Sequence, residues 1–182
     1  MGQMPNLLLS CVAAATIGNS FVAIARQSQK PQATEGQTYF REDEPLQKHV
    51  PLTGSVIDVL LQTELAKQGL DYASNSQRQN PGKMFRAAEV HLTSPDQVDL
   101  VVIGKSPMSG ADAGWFWVLR SAHKQPKVVL SDSGNSLELM NSRTNGYKDI
   151  RIFAATAGLT KHSMYHFNGQ EYILWKETTK HR

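Results

Sequence analysis

From Met84 to the C-terminus, apolar and polar residues alternate in short runs separated by turn-forming residues. A period of two puts successive side chains on opposite faces of a strand. The runs are Met84–Leu92, Val98–Lys105, Trp115–Ser121, Lys127–Ser131, Ser136–Met140, Tyr147–Ala155, His162–Phe167 and Gln170–Lys176. The breaks between them include Ser94-Pro95-Asp96, Pro107-Met108-Ser109-Gly110, Ser133-Gly134-Asn135, Asn145-Gly146 and Asn168-Gly169, residues that fix or free φ in turns. Short loops join sequential strands as antiparallel neighbours, so these eight runs predict a meander. Its edges must be hidden or closed, as a curved sheet, a sandwich or a barrel. The last hairpin carries the strongest local signal, because Asn-Gly suits a type I′ turn with positive φ at both central residues. A two-residue loop at Asn168-Gly169 would set Phe167 opposite Gln170, His166 opposite Glu171 and Tyr165 opposite Tyr172.

Ahead of the strands the period lengthens. Val56, Ile57, Leu60, Leu61, Leu65 and Ala66 recur at helical spacing and form one stripe, the mark of a helix packed on a sheet. Ser55 suits the N-cap, Asp58 the acidic third position and Gly69 the C-terminal stop. The fold class predicted is α+β: a mainly antiparallel β-meander of about eight strands with one amphipathic helix N-terminal to it.

The remaining segments read differently. Residues 1–25 carry no charged side chain, and Leu7-Leu8-Leu9 opens an apolar stretch ending in Ala23-Ile24-Ala25 before Arg26. This is the outline of a secretory signal peptide cleaved after Ala25, although its n-region lacks Lys or Arg. Cys11, the only cysteine, follows Leu8-Leu9-Ser10 as in a lipoprotein cleavage box, but three leucines make a short apolar run for one. Lipidation is therefore the alternative to ordinary cleavage, and an exported protein, periplasmic or extracellular, is expected. Thr16, Asn19 and Ser20 interrupt the apolar stretch, which argues against a stable membrane span. Residues 26–53, rich in Gln, Lys, Glu and Pro, read as a disordered polar linker in which only Tyr39-Phe40 looks able to dock. One α+β domain is expected over 54–177, followed by a polar tail at 178–182.

With 182 residues, the chain is long enough for one domain with a real core. Its net charge of +3 comes from scattered rather than clustered basic residues, so nucleic-acid binding has no footprint here. No motif calls for a cofactor.

Asn145-Gly146-Tyr147-Lys148-Asp149-Ile150 resembles the Gly-Tyr-x-Asp-Leu element of FG-GAP-type propeller repeats. In that family an acidic calcium loop precedes the element. Here Arg143 stands at a ligand position and Asn145 precedes the glycine, so a tight turn into a strand is expected and no metal. Asp132-Ser133-Gly134 resembles the nucleophile loop of trypsin-like proteases, but Ser131 replaces the preceding glycine, and a hairpin turn is expected instead. Ser121-Ala122-His123-Lys124 matches Ser-x-x-Lys in a polar segment rather than at a helix start. His162 and His166 would lie about 13 Å apart on a strand, too far to share an ion.

Two readings involve chemistry. His166 opposite Glu171 could form a base oriented by a carboxylate, the core of a small hydrolase, although an ordinary cross-strand pair explains it as well. Trp115 and Trp117 share one face of a strand and, if exposed, would form a platform for a glycan or protein partner of the cell envelope. Tyr147 and Arg151 would extend it, with Arg151 recognising carboxylates. The function expected is a non-catalytic extracytoplasmic binding, inhibitor or accessory domain acting through its β surface. The alternatives are the His166/Glu171 hydrolase and a structural interaction protein of the envelope.

Overall fold

The computed structural model describes residues 36–110, 113–120 and 125–181. The expected signal peptide, Cys11, the first part of the linker and the Ser121–Lys124 motif lie outside the described residues. The elements in chain order are β1 (Tyr39–Arg41), β2 (His49–Val50), α1 (Gly54–Leu61), α2 (Glu64–Asp71), α3 (Asn75–Gln79), a 3-10 turn at Pro81–Met84, β3 (Phe85–Val90), β4 (Asp99–Gly104), β5 (Gly114–Arg120), β6 (Lys127–Gly134), β7 (Ser136–Thr144), β8 (Tyr147–Ala155), β9 (Leu159–Phe167) and β10 (Tyr172–His181). They form two five-stranded sheets. The first runs β2-β3-β4-β5-β6 and the second β1-β7-β8-β9-β10. Every pairing between neighbouring strands is antiparallel.

Alternation along the strands builds three layers. Ala88, Val90, Val101, Ile103, Phe116 and Val118 of the first sheet meet Phe40, Leu137, Leu139, Ile150, Ile152 and Phe167 of the second in one core. The residues between them, Ala87, Leu100, Val102, Trp117 and Leu119, face the other way and pack with Val56, Leu60 and Ala66 of the helices. The first sheet is thus covered on both faces, and every residue of β4 is buried. A strand covered on both sides reads as a continuous apolar run, which is what Leu-Val-Val-Ile supplies. Among the described residues, the second sheet is covered on one face only. Its inward residues are apolar and its outward ones mixed, the pattern of a half-solvated antiparallel sheet.

The β-rich α+β class agrees with the sequence, but the strands number ten rather than about eight; all eight predicted strands are present, Tyr147–Ala155 with the expected ends and the other seven with shifted ones. Four details differ. First, part of the expected linker is folded. Phe40 is fully buried and β1 pairs with β7 through Phe40↔Leu137, while β2 pairs with β3. The Arg86 guanidinium holds the intervening turn by donating to the carbonyls of Arg41 and Glu44, each at 2.6 Å. Strands of three and two residues are too short to show periodicity.

Second, the single helix is broken into two, α1 and α2, and a further short helix, α3, follows beyond its expected end. Thr53, not Ser55, caps α1, with its hydroxyl accepting from the Val56 amide. Thr63 ends the first helix and begins the second. Its Oγ1 donates to Leu60 O (2.7 Å), accepts from the Ala66 amide (3.3 Å) and accepts from Trp117 Nε1 (2.9 Å). Gly69 is not a stop but lies inside α2, where a Cβ would collide with Met108 Sδ and come 3.0 Å from the Trp115 ring.

Third, Ser133-Gly134-Asn135 is no hairpin turn. β6 pairs in the first sheet and β7 in the second, so one nearly continuous arm passes between sheets at Asn135. Here Gly134 lies against Ile152 and the Phe153 carbonyl of β8, with no room for a Cβ. The Asn135 amide donates to Phe153 O (2.7 Å), and its side-chain oxygen accepts from the Ala155 amide.

Fourth, the final hairpin has a longer loop. The first pair is Phe167↔Tyr172, and Asn168 Oδ1 accepts from the amides of Gln170 (2.8 Å) and Glu171 (2.9 Å). Such an Asx turn stabilises a four-residue connection. The two-residue Asn-Gly hairpin is instead Asn145-Gly146, with φ of 51° and 81° and Thr144 facing Tyr147.

Glycines separate close packing from open space. At Gly104 a Cβ would overlap the backbone of Met108, whereas at Gly158 it would meet nothing. Gly104→Ala should lower stability by about 2–4 kcal/mol and Gly158→Ala by less than about 0.5 kcal/mol, measured by urea unfolding. Equal effects would contradict this packing.

Candidate interaction face

The residues singled out from sequence do not converge on one site. Trp117 is fully buried, stands edge-on to Phe85 at 5.4 Å between centroids and donates to Thr63. Trp115 is half-buried beside it under the helices, 6.5 Å away. The two tryptophans do share a face as expected, but helices roof that face, so they form no exposed platform. Indoles fill core volume efficiently, which is the physical reason both lie inside.

Tyr147 belongs to a closed aromatic cluster. Its ring lies 4.0 Å from Phe167, and the Arg120 guanidinium, from the first sheet, sits over both rings at 4.6 and 5.0 Å. Cation–π contact of this kind ties β5 to the second sheet. Tyr172 adds an edge contact to Phe167 and donates its hydroxyl to Lys148 O (2.8 Å). Tyr165 donates to the Asp132 carboxylate, joining β9 to β6. Burial raises the phenol pKa of both Tyr165 and Tyr172, helped at Tyr165 by the Asp132 bond and at Tyr172 by the buried Asp99 and Asp149.

Arg151, by contrast, lies on the outward face of the second sheet. There its Nε is 3.0 Å from Glu138 Oε2 in a cross-strand ion pair. The His166–Glu171 pair is not formed, because the four-residue loop moves the register by two and puts Ile173 opposite His166. A shift of two preserves which face each side chain occupies but changes its partner. The carboxylate near His166 is Asp149 of the adjacent strand, with Nε2 and Oδ2 3.9 Å apart. That separation permits a charge contact and not a hydrogen bond.

Directly opposed residues in antiparallel strands share a face. The outward face of the second sheet therefore carries Tyr39, Glu138, Arg151, Phe153, His162, Met164, His166 and Ile173. Among the described residues no element covers it. Phe153 and His162 stack obliquely at 4.9 Å, and the His166 ring lies flat on Trp175 at 4.4 Å and 14°. Trp175 occupies a β-bulge in β10 between Leu174 and Lys176. A bulge re-aims the side chain it carries. Trp175 remains 62% exposed, and Ile173 and Leu174 about half exposed. Beneath the stack Asp149 is only 4% exposed, and its Oδ1 has no hydrogen-bond partner among the described residues. β10 is an edge strand, and its residues from Ile173 to His181 are all exposed. What this arrangement offers is an aromatic surface, an imidazole and a buried acceptor on one sheet face, beside an edge strand that no other described strand pairs.

Sequence reasoning missed this cluster. Asp149 and His166 come together only through the β8–β9 register, for which no sequence feature was decisive. Among the described residues, no set of three or more His, Cys, Asp or Glu side chains is arranged to hold a metal ion. No described helix is long and apolar enough to cross a membrane. Comparison with protein-family models, curated proteins and solved structures finds no match. What the fold defines is a class: a β-rich α+β domain of two antiparallel sheets with helices on the outside of one.

The raised tyrosine pKa values set a pH dependence. Above the ordinary phenol value of 10.0 the unfolded chain loses these protons first, so the folded state holds more protons and stability falls as pH rises. The urea midpoint should be flat below about pH 9 and decline above about pH 10. Tyr165→Phe and Tyr172→Phe, each weaker at neutral pH, should both flatten that decline. An unchanged alkaline slope in both variants would refute the assignment.

Proposed function

We propose that this chain is an exported, non-catalytic binding or accessory domain that engages a protein partner of the cell envelope through the outward face and edge of its second sheet. The observation that carries the reading is Trp175, a largely exposed indole stacked on His166 at the border of an uncovered sheet face. Exposed tryptophans flanked by apolar neighbours are typical anchors of protein interfaces. Asp149 Oδ1 supplies a buried acceptor for a donor on the partner, and the Arg151–Glu138 pair gives the rim its polarity. β10 adds a row of edge backbone groups to which an extended segment can pair. Export rests on the uncharged N-terminal stretch and Ala23-Ile24-Ala25. The hydrolase alternative loses its basis with the His166–Glu171 pair, since Glu171 lies in the turn and faces no imidazole.

Affinity capture from envelope extract with the secreted full chain should retain a specific protein. Trp175→Ala should weaken that retention by about tenfold or more, the effect of losing an anchoring aromatic. Because Trp175 is exposed, thermal unfolding should be unchanged. Retention equal to wild type in Trp175→Ala, or no specific partner at all, would overturn the proposal.

A further inference from the structure

The geometry points to the chemistry of the segment that pairs with β10: an extended acidic stretch of the partner, with carboxylates four residues apart, added antiparallel to this edge. The inference rests on the interface proposed above and specifies what occupies its edge. β10 ends the second sheet, and no other described strand pairs its outer side. Beyond the bulge its ladder with β9 is regular, from Lys176↔Met164 to His181↔Leu159. All of these β10 residues are exposed. An extended segment laid along them gains main-chain hydrogen bonds whatever its sequence, so side chains at alternate positions decide which segment is taken.

Lys176, Thr178 and Lys180 oppose Met164, His162 and Thr160 and so share the outward face. Neither lysine's ammonium group makes an ion pair or hydrogen bond among the described residues. The one carboxylate of β10, Glu177, opposes the buried Ser163 and points the other way. There its Oε2 lies 3.3 Å from Lys161 Nζ and accepts from the Ser163 hydroxyl. The outward acids of β7 and β8 are engaged or buried: Glu138 holds Arg151, and Asp149 lies beside His166. The outward side of β9 and β10 thus carries two ammonium groups and no carboxylate.

Opposite charges facing each other across two strands stabilise the pair, and like charges weaken it. A second copy of this chain is disfavoured on that ground. In an antiparallel pairing about a twofold axis, centring on Thr178 sets Lys176 against Lys180. Centring on Lys176 or on Glu177 sets that charge against its own copy. An incoming segment with carboxylates opposite Lys180 and Lys176, about 13 Å apart on one face, meets both ammonium groups. Every existing pairing in the two sheets is antiparallel, the more stable direction per residue. In that direction the residues after the second carboxylate reach the exposed Trp175 and Ile173, where apolar side chains fit. The pattern recognised is acid-x-x-x-acid followed by apolar residues.

The test is a titration of the isotope-labelled full chain, followed by amide NMR, with a capped peptide Glu-Val-Thr-Thr-Glu-Val-Val and with the same peptide carrying Lys for both Glu. The acidic peptide should shift the amides of Lys176 to His181 saturably and bind at least about fivefold tighter than the basic one. Lys176→Glu combined with Lys180→Glu, both changes at exposed side chains, should reverse that preference. No saturable shift in β10 up to about 5 mM, or a preference unaltered by the charge reversal, would overturn the inference. So would β10 shifts that depend on protein concentration without peptide, which would give the edge to a second copy. A partner captured from envelope extract that Trp175→Ala releases and the double lysine variant retains undiminished would sink the acidic segment while leaving the proposed interface intact.

Discussion

The structure depends on the double burial of one strand. All six residues of Asp99–Gly104 are buried, with Val101 and Ile103 turned to the second sheet and Leu100 and Val102 to the helices. Burying an aliphatic side chain of this size contributes about 1.5–3 kcal/mol, and β4 does so on both faces. Its neighbours β3 and β5 repeat the division residue by residue, so the first sheet is the middle layer to which the other two attach. Without the helical layer, Trp117 and Leu119 would face water. Without the second sheet, Phe116 and Val118 would.

The link between layers is one backbone crossing. β6 completes the middle sheet and β7 begins the outer one with only Asn135 between them. Gly134 permits the approach of β8, and Asn135 bonds the backbone there at both its amide and its side chain. Arg120 over Tyr147 and Phe167, and Tyr165 on Asp132, add polar and cation–π ties between the sheets. The second sheet is thereby held by its inward face, and its outward face is left uncovered by the other described residues.

Much of this was legible in the chain. Period-two alternation marked every strand long enough to show it, and Tyr147–Ala155 matched end for end. Two kinds of information were not local. A glycine-bearing break looks alike whether the chain turns back or changes sheets, and Ser133-Gly134-Asn135 did the latter. Asn-Gly gave the two-residue turn at Asn145-Gly146 but not at Asn168-Gly169, where the Asn168 side chain competed for the backbone amides. The resulting offset was two residues, so each side chain of β9 kept its face while its expected partner in β10, Glu171 for His166 among them, changed. The candidate face could not be read directly, because Asp149–His166 depends on cross-strand register.

The central claim, that the middle sheet is anchored by a strand buried on both faces, is tested most directly by native-state hydrogen exchange resolved to single amides. The amides of Leu100 to Ile103 should be among the slowest, exchanging only through global unfolding, while those beyond Trp175 in β10 should exchange through local opening. Protection in β10 equal to or greater than that in β4 would contradict the account.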